Sequence, residues 1–202
     1  MKDECVIVLG MRCSVPVIDA EYIGADRGAL YLAQQGIPMS TAIGDFDSVS
    51  DNEKELIRTM SGRMIVLNPI KDATDSEAAI RTAADEGYSR ILVYGGLGGR
   101  MDHTLINLRL AAEYTGRLYL LDEHNEISVR ETGIYCYCRD EYKYFSVLPL
   151  GDASISLSGM KYPLDHRRIT MDDLYTTSNE ITDAYGTLHV HSGKVIVIRS
   201  RD

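Results

Sequence analysis

Up to residue 121 the chain alternates strand-length apolar runs with helix-patterned segments, and beyond Asp122 the helical pattern stops. The apolar runs fall at residues 5–9, 22–25, 41–43, 64–67, 91–94 and 118–121. Helical patterns lie between them near residues 28–35, 51–60, 75–86 and 102–114. Strands alternating with helices predict a mostly parallel sheet covered on both faces, because parallel neighbours need a long crossover. Ser50 with Glu53, and Thr74 with Glu77, match the reciprocal capping pattern of helix starts, and Gly87 and Gly116 suit helix ends. Met101, Leu105, Leu108 and Ala112 form one apolar face of the last helix.

From residue 122 the chain reads as short strands near residues 126–131, 135–138, 144–148, 154–157, 187–191 and 194–198, punctuated by Gly, Asp and Pro. Val195, Val197 and Arg199 alternate with Ile196 and Ile198, and His191 to Lys194 reads as a hairpin turn. The expectation is an α/β domain over residues 1–121 and a small antiparallel β-sandwich over residues 122–202.

The formal net charge of -9 argues against a bulk grip on nucleic acid, which needs clustered Lys and Arg. An acidic chain can still bind a polyanion, but its carboxylates must then act through a metal cation. No apolar run is long enough to span a membrane, and the start Met1-Lys2-Asp3-Glu4 is no signal peptide. Cys5, Cys13, Cys136 and Cys138 contain no CxxC pair, so buried or semi-buried free thiols in a reducing, cytoplasmic compartment are expected.

The aspartates fall where the strands end. Asp26 follows the run at 22–25, Asp45 and Asp47 follow that at 41–43, Asp72 and Asp75 follow that at 64–67, and Asp102 follows that at 91–94. In a parallel sheet all of these collect at one edge, where open α/β sheets bind ligands. Such a collection without paired lysines costs repulsion that a divalent cation relieves, and hard oxygen ligands select Mg²⁺, Ca²⁺ or Mn²⁺. Each acid also has a plainer reading. Asp45 and Asp47 share a side of an extended segment, which suits chelation, but they also suit a turn. Asp75 and Asp102 could serve helix starts, and Asp26 could simply end a strand.

Gly95-Gly96-Leu97-Gly98-Gly99-Arg100 lets backbone N–H groups approach a phosphate ahead of a helix N-terminus, and a guanidinium adds a phosphate partner. It is not a Walker loop and fails the GxGxxG spacing. His103 could touch phosphate or cap the helix. His189 and His191 share a strand face without a third metal ligand at suitable spacing.

These segments resemble the successive motifs of bacterial thiamine pyrophosphokinases. The resemblance rests on residues 25–29, 43–48, 71–77, 95–103 with Asn107, 156–164 and 177–180, in order along nearly the whole chain. It implies a Rossmann-like α/β domain for ATP and Mg²⁺, a β-sandwich for thiamine, and a homodimer with active sites between subunits. It implies that Asp45, Asp47 and Asp75 hold Mg²⁺ or its waters, with Asp26 and Asp102 completing the acidic cluster. Gly96, Gly98, Gly99, Arg100, His103 and Arg27 would serve ATP. Ser178 and Asn179 would hydrogen-bond the aminopyrimidine of thiamine, and Tyr162 would stack on it. Two departures stand out: Arg27 replaces the family's usual Gly, and the chain has no Trp. The implied reaction is attack of the thiamine hydroxyl on the β-phosphorus of ATP, with AMP leaving and Asp75 or Asp102 available for the proton. The rivals are a pyrophosphokinase for another heterocyclic alcohol, a non-catalytic nucleotide- or thiamine-binding module, and a Mg²⁺-dependent phosphohydrolase.

Overall fold

The computed structural model describes residues 2–68 and 74–202. Lys71, Asp72 and Ala73 of the expected acidic motif lie outside the described residues. The chain divides into two compact units, Met1–Leu110 with Arg117–Glu123, and Ala111–Gly116 with His124–Asp202. The division is thus not the single cut after residue 121 that composition suggests, because the segment 111–116 clusters with the second unit.

The first unit contains β1 (Lys2–Val8), β2 (Glu21–Ala25), α1 (Arg27–Gln34), β3 (Met39–Gly44), α2 (Asp51–Met60), β4 (Ser61–Val66), α3 (Asp75–Asp85), β5 (Tyr88–Tyr94) and β6 (Leu118–Leu121), with α4 (Met101–Glu113) beginning in it. Its strands are all parallel in the order β4-β3-β2-β1-β5-β6. The central runs are buried on both faces: Val6, Ile7 and Val8 of β1 and Ile91 and Val93 of β5 have no exposed surface. The predicted caps form. Glu53 accepts from the Ser50 amide and hydroxyl at 2.8 Å each, and Thr74 Oγ1 accepts from the Glu77 amide at 3.2 Å.

Helix α4 departs from its expected face. Met101 and Leu105 are 63% and 56% exposed, while Thr104, Asn107, Leu110 and Ala111 are buried. The apolar stripe does not decide the packing. The side carrying Thr104 and Asn107 turns inward because these two polar groups bond to the glycine loop that precedes the helix.

The second unit contains β7 (Asn125–Arg130), β8 (Gly133–Cys138), β9 (Tyr144–Pro149), β10 (Ala153–Ser158), β11 (Leu164–Ile169), β12 (Tyr185–Ser192) and β13 (Val195–Ser200). Within it β13 pairs antiparallel with β7 and β9, and a four-stranded sheet runs β11-β10-β12-β8. Alternate residues of both sets, including Phe145, Val147, Ile155, Leu188, Val195 and Val197, make one core, as expected for a sandwich. Two readings change, and one strand is present that the sequence did not mark. Residues 191–194 are not a hairpin, because β12 and β13 join different sets of strands. β11 carries no apolar alternation, since only Ile169 is buried, as suits an edge strand. Cys136 and Cys138 are exposed, because β8 turns Tyr137 inward instead. All four cysteines are free thiols, and burial, then Glu123 and Asp122, push Cys13 up to about 11.

Arg199 follows Val195 and Val197 onto the buried side of β13. There it pairs with Glu126 at 3.1 Å and with Asp140, and its guanidinium lies over Tyr142 at 4.8 Å from the ring centroid. Removing one member of such a group strands the others in a poorly solvated place. Arg199→Ala is therefore expected to lower the unfolding free energy by about 3 kcal/mol in urea titration. A loss below about 0.5 kcal/mol, the scale of an ordinary surface change, would show that the cluster is solvated.

Candidate active site

The strand order reverses at β1. The chain steps outward from β1 through β2 and β3 to β4, then returns to β5 on the other side of β1. Loops leaving the two sides of such a reversal diverge and leave a crevice at the carboxyl ends of the strands. Here that crevice is a cleft of about 370 Å³. Its walls come from Leu9, Gly10 and Met11 after β1, from Asp26 and Arg27 after β2, and from Ser48 after β3. Thr74, Asp75 and Ser76 at the start of α3 close one side, and Gly95, Gly96, Gly98, Arg100, His103 and Asn107 close the other.

Asp26 is the best-buttressed acid of the cleft. It ends β2 with φ 48 and ψ -116, a sparsely populated conformation for a residue with a side chain. Its amide donates to Ile43 O at 3.0 Å, and its Oδ1 accepts from the Phe46 amide at 3.3 Å. A Cβ on Gly44 would stand 1.9 Å from that Oδ1, so the glycine makes the room in which the carboxyl lies. Burial, then a hydrogen bond to Asp75, then the charges of Asp75 and Asp45 raise Asp26 to about 7, against a smaller opposing pull from the Phe46 amide.

Asp45 and Asp47 are arranged differently from the extended pair read in the sequence. Phe46 between them has φ 53 and is 1% exposed, so its ring enters the core and the two-residue alternation breaks. The Asp47 amide donates to Asp45 Oδ1 at 3.2 Å, a local turn. Neither residue lines the cleft, although Asp45 acts on Asp26 through its charge. Among the described residues no group of three His, Cys, Asp or Glu side chains is gathered into a cation site. The pair Asp26–Asp75 is the acidic contact the fold does assemble.

The glycine loop takes left-handed backbone at Gly95, Gly98 and Gly99. Asn107 Nδ2 donates to Gly96 O at 2.8 Å, and Thr104 Oγ1 donates to Gly98 O at 3.2 Å, so α4 holds the loop from behind. Asp102 is not the N-cap. It sits in the first turn of α4, where Arg100 grips it with bonds of 2.6 and 3.2 Å and holds its carboxyl below the usual range. Gly99 packs beside Met11 and does not line the cleft. Arg27 opens α1 exposed and lacks positive φ, so the family's glycine is not required for the backbone here.

The residues expected for thiamine lie in the second unit. Tyr162 is 58% exposed and Ser178 is exposed with φ 56, while Asn179 is 4% exposed. Ser48, Thr74, Ser76 and Asn107 were not singled out as site residues, yet they line the cleft. Asn107 had a visible signal, a polar residue amid the apolar periodicity of α4.

A sequence model described as the thiamin pyrophosphokinase catalytic domain matches residues 19–119, and one described as the vitamin B1 binding domain of that enzyme matches residues 125–195. The thiamine pyrophosphokinase of Bacillus subtilis is 34% identical over 189 residues, covering 90% of this chain and 87% of that protein. A crystal structure of the Bacillus subtilis enzyme superposes with a TM-score of 0.90 at 32% identity, covering 98% of this chain and 99% of that one. A thiamin pyrophosphokinase family protein from Enterococcus faecalis gives 0.89 at 27% identity, with coverage of 98% and 99%. The yeast enzyme gives 0.76 at 15% identity, covering 99% of this chain and 87% of that one, a likeness of fold.

Asp26 generates a pH test. A carboxyl whose folded value is raised stabilises the fold below its unfolded value and loses that contribution as pH rises through about 7. Asp26→Asn keeps the shape and stays neutral. In metal-free buffer it is expected to melt with the wild type at pH near 4 and above it at pH near 8. Equal melting temperatures at both ends would show that Asp26 ionises as it does in the unfolded chain.

Proposed function

The chain belongs to the thiamine pyrophosphokinase family, and on that premise we propose how its own residues divide the reaction. It is an enzyme that transfers the diphosphate of ATP to the hydroxyl of thiamine, giving thiamine diphosphate and AMP. The observation that carries the division of labour is the cleft at the sheet reversal, with a glycine loop on one wall and paired aspartates on the other.

The amides of Gly96 and Gly98 and the guanidinium of Arg100 hold the ATP phosphates, and Arg27 and His103 add positive or donor groups at the mouth. Gly99 shapes the loop. Asp26 and Asp75 form the acidic side of the cleft, Asp45 acts on Asp26 through its charge, and by the resemblance Asp47 and Asp102 belong to the same acidic set. Their chemistry fits a divalent cation, because carboxylates are hard oxygen ligands and Asp26 and Asp75 meet within hydrogen-bond reach in the cleft. Bound Mg²⁺ would neutralise charge on the attacking and leaving oxygens. Asp45, Asp47 and Asp75 would hold it. The residues do the rest by position: loop amides and Arg100 fix the β-phosphate, and the acids keep the phosphates aligned for in-line attack. Asp75 is better placed than Asp102 to accept the hydroxyl proton, since Arg100 already satisfies Asp102.

Thiamine stacks on Tyr162, whose ring is open to solvent, and Ser178 offers its hydroxyl to the aminopyrimidine. The enzyme works as a homodimer with active sites between subunits. Exposed Met101 and Leu105 on α4, and exposed Met171, Leu174 and Tyr175 in the second unit, support such pairing. The free cysteines support a reducing, cytoplasmic setting, and no helix among the described residues is long and apolar enough to cross a membrane.

Incubation with ATP, Mg²⁺ and thiamine is expected to release AMP and thiamine diphosphate in equal amounts, with EDTA abolishing turnover and excess Mg²⁺ restoring it. Release of phosphate without a thiamine product would make the protein a hydrolase, and full activity after chelation would remove the metal from the mechanism. Light scattering is expected to give twice the chain mass at working concentration. A fully active monomer would refute the shared site.

A further inference from the structure

Asn179 is buried, and both ends of its side-chain amide are committed within the chain. Oδ1 accepts from the amide of Tyr162 at 3.0 Å and from that of Glu180 at 2.9 Å. Nδ2 donates to Tyr162 O at 2.8 Å and lies 3.7 Å from Met160 Sδ. The Asn179 backbone is committed elsewhere, exchanging bonds of 2.7 and 3.0 Å with Phe145 on β9.

The neighbouring contacts show what the side chain replaces. Residues 159–161 run beside residues 180–182 through backbone bonds: Lys161 N to Glu180 O at 2.9 Å, Thr182 N to Gly159 O at 3.0 Å, and a bridge between Met160 and Ile181. In that register residues 162 and 179 would face each other where an antiparallel ladder exchanges no backbone bonds, so the ladder offers Tyr162 neither a donor nor an acceptor. The Asn179 backbone is turned to β9, and its side-chain amide supplies Tyr162 with both, as a peptide group would. Asparagine supplies both at short reach, whereas aspartate has no donor when ionised and serine has a single oxygen.

We infer that Asn179 is a positioning residue that holds the Tyr162 segment by acting as a substitute peptide group, and not a direct ligand of the thiamine aminopyrimidine. This rests on the reading that Tyr162 stacks on thiamine. The arrangement leaves the Tyr162 ring exposed while its backbone is tied at both polar atoms. A stacking platform gains affinity from such prior ordering, because the loop entropy is lost on folding and not on binding.

The test is a double-mutant cycle on the full-length protein, with calorimetric titration of thiamine and, separately, of a non-hydrolysable ATP analogue. Asn179→Ala is expected to weaken thiamine binding on the order of tenfold, the scale of one or two lost hydrogen bonds, and to leave the ATP analogue within about twofold. In a Tyr162→Ala background the same change is expected to add less than about twofold, since residues acting as a unit are not additive. Asn179→Asp, which keeps the acceptors and loses the donor to Tyr162 O, is expected to fall between and serves if the alanine variant folds poorly. A full effect of Asn179→Ala in the Tyr162→Ala background would mean that Asn179 touches thiamine itself and would overturn the inference. So would unchanged thiamine affinity in Asn179→Ala when Tyr162→Ala weakens it.

A second readout is independent of thiamine. The chain has no tryptophan, so Tyr162→Trp introduces a single indole at the segment. Adding Asn179→Ala or Asn179→Asp is expected to lower its fluorescence anisotropy and raise its quenching by acrylamide while far-ultraviolet circular dichroism stays the same. If Tyr162→Ala leaves thiamine affinity intact, the stacking reading fails, and the anisotropy alone then decides whether Asn179 orders the segment. Unchanged anisotropy would overturn the inference.

Discussion

Two carboxyl groups from different parts of the chain meet in the cleft, and the local fold around them is arranged to let them do so. Asp26 leaves β2 and Asp75 opens α3, and burial, then the hydrogen bond and charge of Asp75, raise the Asp26 carboxyl to about 7. The cost is spread over several devices. Gly44 carries no Cβ, so the Asp26 carboxyl has space, and the Phe46 amide turns back to bond it. Phe46 does so in a left-handed conformation, with its ring in the core. The burial of Phe46, the glycine at 44 and the odd backbone of Asp26 are one linked arrangement. Its outcome is a site whose negative charge is held ready for a cation or a proton.

The parallel half of the fold was legible because its signal is redundant. Each strand of β1, β2, β3 and β5 is apolar on both faces, and helix caps at Ser50 and Thr74 mark where crossovers begin. The edge of the sheet where ligands bind follows from parallel order alone. Less legible were features set by contacts distant in sequence. The apolar stripe of α4 pointed to Met101 and Leu105, yet the helix turns the other side inward because Thr104 and Asn107 bond to the glycine loop. β11 has charged and histidine residues at its centre and is defined only by pairing with β10. The step from β12 to β13 looks like a hairpin in sequence, and only the pairing shows the two strands parting.

The candidate site was legible as a list of residues and less so as a geometry. The motifs name Asp26, Asp75, Gly96, Gly98, Arg100 and His103, all of which line one cleft. They also name Asp45, Asp47 and Asp102, which stand off the cleft lining in this conformation, engaged in a local turn or gripped by Arg100. A period-two argument assumes extended backbone, and a single left-handed residue at Phe46 voids it. Spacing rules read side-chain direction correctly in the buried strands of the parallel sheet. They fail at loops, where functional groups are most often carried.

The two buried asparagines show a common solution to a conflict at such loops. A segment that must face a ligand is not free to join a sheet ladder on that side, so its backbone groups need other partners. At the glycine loop, Asn107 reaches from α4 to Gly96 O. At the Tyr162 segment, Asn179 supplies both a donor and an acceptor from a residue whose own backbone is paired with β9. In each case a side-chain amide fixes backbone without adding another strand, which leaves the ligand side open. Sequence resemblance reads Asn179 as a ligand, because it travels with the motif. The burial of Asn179 and its bonds to both polar backbone atoms of Tyr162 support a different part for it, that of a residue acting through the backbone it holds.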